Sequence, residues 1–155
     1  MLKYFHPNLL GHDNCPHLPH LVLQPNYFQD QKVFLNTLPK ILREKVLIRV
    51  NNVDYDWSLP SRFNDLMPEV EVDFGHQNIR NLIKKSRLYI STYNATTYLE
   101  SMAWNIPTII FWNEEHWELK EEAKPYFELL KSVGIFHNSP QSAARQMVDI
   151  WDNVD

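Results

Sequence analysis

Glycine is scarce in this 155-residue chain: there are 3, where average usage of roughly 7% predicts about 11. Gly11, Gly75 and Gly134 stand far apart. A GxGxxG dinucleotide loop or a Walker-type phosphate loop needs several glycines in one place, so neither is present. The single cysteine, Cys15, excludes an internal disulfide and fits a reducing compartment, with the cytoplasm as the default. No apolar run approaches the ~18 residues of a membrane span. The N-terminus holds His6, Pro7, Asn8, His12 and Asp13 where a signal peptide needs an apolar stretch. The chain therefore reads as neither membrane-spanning nor exported. With 15 basic and 19 acidic residues its net charge is -4, so it has no general attraction for nucleic acid, which is not expected as a partner.

Aromatic residues are plentiful: 5 Trp, 7 Tyr and 8 Phe, which argues against disorder. The length suits one domain with a core of its own. Residues 1–20 are dense in Pro, His and Asn, show no sustained period, and read as an irregular N-terminal segment. The patterned domain spans 21–155. Leu21-Val22-Leu23, ended by Gln24-Pro25-Asn26, reads as a buried strand with its exit loop. Phe28, Phe34, Leu35 and Leu38 share a helical face up to Pro39. Val46 to Val50 is β-branched and continuous, as in a strand of a parallel sheet buried on both faces. A loop from Asp54 through Asp56, Trp57 and Pro60 to Pro68 follows.

Val70-Glu71-Val72 is a weak strand ending at Asp73-Phe74-Gly75, and Ile79, Leu82 and Ile83 mark a short helix. Leu88-Tyr89-Ile90 reads as a strand, Asn94 to Trp104 as a helix, and Ile106 to Phe111 as a strand with Pro107 where it begins. Asn113 is positioned to cap a helix that Pro125 kinks or restarts, and Gly134 suits its end. Ser139-Pro140 is a cap followed by proline at the first helical position, with Ala144, Met147, Val148 and Trp151 on the inner stripe. This alternation predicts an α/β fold: a Rossmann-like, open, mostly parallel sheet with helices on both faces. Such sheets bind ligands beyond the carboxyl ends of their strands.

The most informative segment is Ser91-Thr92-Tyr93-Asn94-Ala95-Thr96-Thr97-Tyr98-Leu99-Glu100, polar where a strand ends and a helix begins. Asn94 is a candidate N-cap. Free backbone N–H groups and the helix dipole there suit an anionic group such as a diphosphate, supplemented by the hydroxyls of Ser91, Thr92, Thr96 and Thr97. Glu100 is suited to accept both hydroxyl protons of a ribose. The alternative is that Thr97-x-x-Glu100 is a capping box and the rest ordinary helix-start chemistry.

Arg49, at a strand's carboxyl end, suits a bidentate phosphate contact or, equally, a salt bridge to Asp54 or Asp56. Gly75 allows close backbone approach to a base or sugar, or serves only a turn. His6, His12, Cys15, His17 and His20 crowd together but match no CxxC or HExxH spacing, so they read as a solvated His-rich loop and no metal or other cofactor is expected.

The 91–100 run, continuing through Asn105-Ile106-Pro107-Thr108-Ile109-Ile110-Phe111-Trp112, resembles the donor-site segment of GT-B glycosyltransferases. Trp117-Glu118-Leu119, Ala123-Lys124-Pro125-Tyr126-Phe127, Gly134-Ile135-Phe136-His137 and Ser139-Pro140 are similar to the C-terminal, donor-binding half of a GT-B-like transferase family of bacterial surface polysaccharide and lipopolysaccharide biosynthesis. The resemblance covers roughly residues 21–155. It implies a single GT-B half, a nucleotide-sugar-binding domain in which Glu100 holds the donor ribose, Thr96 and Thr97 lie near the diphosphate, and Arg49 faces the phosphates. It also implies a nucleotide-sugar donor, acceptor contacts from an N-terminal acceptor domain or a separate partner chain, and a peripheral membrane acceptor as a candidate. A nucleotide-sugar epimerase of the same architecture and a non-catalytic nucleotide-binding or interaction module are the alternatives. No catalytic residue is assigned.

Overall fold

A computed structural model describes residues 5–6, 19–50, 59–94, 96–114, 117 and 119–154. Among these residues six strands form one sheet: β1 (Phe5–His6), β2 (Leu47–Arg49), β3 (Glu71–Asp73), β4 (Tyr89–Ser91), β5 (Thr108–Phe111) and β6 (Phe136–His137). Their order is β3-β2-β1-β4-β5-β6, and every pairing is parallel. The helices are α1 (Pro19–Thr37), α2 (Lys40–Arg43), α3 (Leu59–Leu66), α4 (Ile79–Lys85), α5 (Thr97–Ala103), α6 (Lys124–Ser132) and α7 (Pro140–Ile150). The α/β, Rossmann-like expectation holds.

The side-chain alternation of the strands divides the core in two. Ile48, Ile90, Ile109 and Phe111 meet Phe34, Leu35 and Leu38 of α1, Phe63 of α3, and Ala143, Ala144 and Met147 of α7. Leu47, Tyr89, Ile110 and Phe136 meet Leu82 and Ile83 of α4, Tyr98 of α5 and Phe127 of α6. Strands covered on both faces have no polar side to show, which is why they read as continuous apolar runs. On the second face Trp112 packs between Phe136, at 4.7 Å between ring centroids, and Phe127, at 5.4 Å. Such tilted pairs add about 0.5–1.5 kcal/mol each beyond the area they bury.

Handedness explains which helix covers which face. The chain steps outward from β1 to β2 to β3, then returns past β1 to continue through β4, β5 and β6. Right-handed crossovers in opposite directions place their helices on opposite faces, so α1 and α3 lie on one side and α4, α5 and α6 on the other. The reversal falls between β1 and β4. In open sheets of this order the ligand crevice lies there, beyond the carboxyl ends.

Five expectations need correction. Leu21-Val22-Leu23 is not a strand: α1 starts on Pro19, whose fixed φ suits a first helical position, and runs through Pro25. A three-residue apolar run cannot be told from part of a buried helix by periodicity, and Pro25 looked like a stop. The strand in that part of the sheet is β1, within the segment read as irregular, paired on both sides through Phe5↔Ile48 and Phe5↔Ile90. The 54–68 loop contains α3, whose Phe63 is buried. The helix expected from Asn113 is seen only from Lys124 onward, so Pro125 sits in its first turn and starts it, with no kink. Within α7 the buried stripe is Ala143, Ala144 and Met147, while Val148 is exposed.

The other boundaries follow the local signals. Asn78 caps α4, its side chain accepting the Arg80 backbone N–H at 2.9 Å. Ser139 caps α7, accepting from the Ser142 N–H at 3.3 Å. Gly134 follows α6 with φ +74°, a left-handed conformation that favours glycine.

Candidate functional site

The edge beyond β4 is built from residues 91–100. Ser91 is buried, and its hydroxyl donates to the Tyr93 carbonyl at 3.3 Å. Thr92 and Tyr93 are buried as well. Asn94 is exposed, and its Oδ1 accepts the Tyr98 hydroxyl at 3.2 Å. It is not the N-cap: α5 is preceded by Thr96, whose φ of -73° and ψ of -18° are already helical and whose side chain makes no cap hydrogen bond. The Thr97 hydroxyl accepts from the Tyr89 hydroxyl at 3.1 Å. Burial pushes the Tyr89 hydroxyl up to about 12, so it stays a neutral donor. Ser91, Asn94 and Thr97 thus hold this turn in shape, while Thr96 is exposed to solvent.

Glu100 lies one turn into α5 and does not reach back to close a capping box. Its carboxylate turns sideways to α4, where Arg80 donates from Nε to Oε2 at 3.0 Å and from Nη2 to Oε1 at 2.9 Å. This is the bidentate fork that a planar guanidinium offers a carboxylate. The Arg80 hydrogen bond holds the Glu100 carboxyl below the usual carboxylate range, and Glu100 in turn raises Arg80. The pair is solvent-accessible, with side-chain exposures of 61% for Arg80 and 32% for Glu100. An ionised carboxylate has about four acceptor positions, so two N–H bonds leave room for two hydroxyl donors.

Arg49 closes β2 opposite Asp73, which closes β3. Their side chains form an ion pair, Nη1 to Oδ2, that is largely buried, and the Val50 N–H donates to the Asp73 carbonyl at 2.9 Å. The salt-bridge alternative for Arg49 is therefore realised with a partner one strand away; Asp54 and Asp56 lie outside the described residues. Gly75 has φ +82°, which fits its turn reading. Arg49 and Gly75 share the carboxyl edge with residues 91–100, but β1 lies between β2 and β4, two strand spacings or about 10 Å across the sheet. The His-rich cluster around Cys15 falls outside the described side chains.

Beyond β5, Tyr93 and Trp117 stack obliquely at 6.0 Å, joining the loops that follow β4 and β5. The Lys131 ammonium holds Glu114 at 2.8 Å and Glu128 at 2.9 Å. Glu114, Leu119, Glu121, Lys124 and Glu128 line an open cavity of about 560 Å³ beside α6.

A family model described as LIC12162 family transferase matches residues 10–155. The chain belongs to this transferase family. No curated protein and no solved structure matches it. Among the described residues of the transferase, no helix is long and apolar enough to cross a membrane.

The residue of this transferase that sequence reasoning missed is Arg80. A signal was available: a cation in the first turn of a helix opposes the macrodipole, and so calls for an anionic partner. Nothing in the sequence says that the partner is twenty positions away on another helix.

Proposed function

We propose that this transferase is glycosyltransferase-like and binds a nucleotide-sugar donor at the carboxyl edge of its sheet, within bacterial cell-surface carbohydrate synthesis. The observation that carries the reading is the coincidence of the chain reversal between β1 and β4 with the polar 91–100 turn and the oriented Glu100 carboxylate. Glu100, kept ionised by Arg80, offers its remaining acceptor positions to the two hydroxyls of a ribose. In sugar transfer the bond from the anomeric carbon to the diphosphate oxygen breaks, an acceptor hydroxyl oxygen takes its place as its proton passes to a base or to water, and negative charge grows on the departing diphosphate. Backbone N–H groups at the turn before α5, and the Arg49 N–H groups not engaged by Asp73, are the local means of neutralising that charge.

Calorimetric titration with UDP, CDP, GDP and CMP tests the reading. At least one binds in the millimolar range or tighter, and Glu100→Ala weakens it about tenfold or more, the cost of losing hydrogen bonds to a charged acceptor. Circular dichroism and melting of the variant establish that the fold persists. If no nucleotide binds, and none shifts the melting temperature of either protein, the donor-site reading fails.

A further inference from the structure

The opposite edge of the sheet carries a different chemistry. In an all-parallel sheet the residues just before each strand and at the last turn of each helix gather at the amino edge. Here they include Lys40, Arg43, Lys45, Lys84, Lys85 and Arg87, out of 15 basic residues in a chain of net charge -4. Lys40 pairs with Glu44 at 3.8 Å and Arg43 with Glu69 at 3.1 Å. Lys45, Lys84 and Lys85 are exposed and have no carboxylate partner among the described residues. Glu71 at the start of β3 and Asp149 and Asp152 at the end of α7 flank the patch.

Two half-buried tryptophans sit among these cations. The Lys84 ammonium lies 4.6 Å from the ring centroid of Trp104. Trp151 has the Arg87 guanidinium at 4.8 Å and the Lys45 ammonium at 5.8 Å. Ile41, on the same edge, is 67% exposed. Compensation of helix dipoles accounts for single lysines at the ends of helices. It does not account for the indoles or the exposed isoleucine.

We infer that this amino edge, from Lys40 and Lys45 to Lys84, Lys85 and Trp104, docks on an anionic lipid bilayer. Ammonium groups meet the negative headgroups, each strengthening attachment roughly fivefold. Tryptophan rings are favoured at headgroup depth, where one end of the ring is apolar and the other wet. A soluble polyanion would engage the lysines but would have no use for Ile41. Docked this way, the transferase turns its carboxyl edge away from the bilayer and leaves the crevice at β1 and β4 open to soluble ligands. The inference is independent of what that crevice binds.

Cosedimentation of the full chain with vesicles tests it, comparing pure phosphatidylcholine with about 30% phosphatidylglycerol at low salt and at about 0.5 M salt. Attachment is expected only with phosphatidylglycerol, and it falls steeply at high salt. The Lys84→Glu/Lys85→Glu variant lowers it about tenfold or more, whereas Lys120→Glu, away from this edge, leaves it within about twofold. Ile41→Ser lowers attachment without changing its dependence on salt. Melting curves establish that each variant is folded. Equal binding to both vesicle types, no binding to either, or an undiminished double variant overturns the inference. So does heparin binding that matches vesicle binding and is indifferent to Ile41→Ser, which assigns the patch to a soluble polyanion.

Discussion

Replacing Asp73 by alanine leaves the Arg49 guanidinium at the end of β2 without its carboxylate. In the native protein the two side chains are only 13% and 7% exposed. Removing one partner of a fully buried pair costs about 3–5 kcal/mol, because the surviving charge is desolvated and unpaired. Arg49 keeps a small opening to water, which lowers the expectation to about 2–4 kcal/mol. At this chain length that corresponds to a fall in melting temperature of about 5–15 °C. Urea denaturation, with the midpoint and slope fitted separately, measures it directly. The cost comes from stranding a charge, so removing both charges should restore most of it. Arg49→Met/Asp73→Leu is expected within about 1 kcal/mol of the wild type. If Asp73→Ala costs less than about 0.5 kcal/mol, or if the double variant loses the sum of two costly single changes, the ion pair does not hold β2 to β3. Arg49 would then be available in full to a ligand.

Other positions give simpler expectations. Gly134→Ala should destabilise the protein by about 1–2 kcal/mol in chemical denaturation, from the left-handed backbone and from a Cβ that meets the Gln146 side chain at 2.9–3.2 Å. Ser139→Ala should cost about 1 kcal/mol through loss of the α7 cap. Tyr89→Phe should cost about 1 kcal/mol by removing the hydroxyl that anchors Thr97, and lower the melting temperature accordingly. The His137 imidazole bonds the Gly134 carbonyl through Nε2 at 3.0 Å and Ser142 Oγ through Nδ1 at 2.8 Å. A carbonyl only accepts, so Nε2 carries the proton and Nδ1 accepts from Ser142. Burial holds His137 below the usual histidine value of 6.5, so this contribution to stability is full above that value and is lost as pH falls below it toward the folded value. A nuclear magnetic resonance titration midpoint at or above 6.5 would contradict this.

The candidate site shows where local reading works and where it stops. Ser139-Pro140 and Gly134 were legible because caps and helix stops are decided within a few residues by dihedral preference and unpaired N–H and C=O groups. Asn94 does not cap α5 because its side chain has a competing partner, the Tyr98 hydroxyl, that the spacing also allows. Thr97 and Glu100 fit a capping box in spacing, yet one is tied to Tyr89 on β4 and the other to Arg80 on α4.

The sequence by itself determined strands β2 to β5, helices α4, α5 and α7, the two-faced burial of β2, and the polar turn after β4. Each rests on apolar patterning or on short-range backbone chemistry. Tertiary structure alone decided the rest. Phe5–His6 is a strand because β2 and β4 pair with it on both sides; as an isolated dipeptide it has no signal. Strand order fixed the chain reversal between β1 and β4, and packing of α4 against the same face as α5 delivered Arg80 to Glu100. These contacts join residues far apart in the chain, and the free energy that selects them comes from burial and charge pairing that exist only once the sheet has formed.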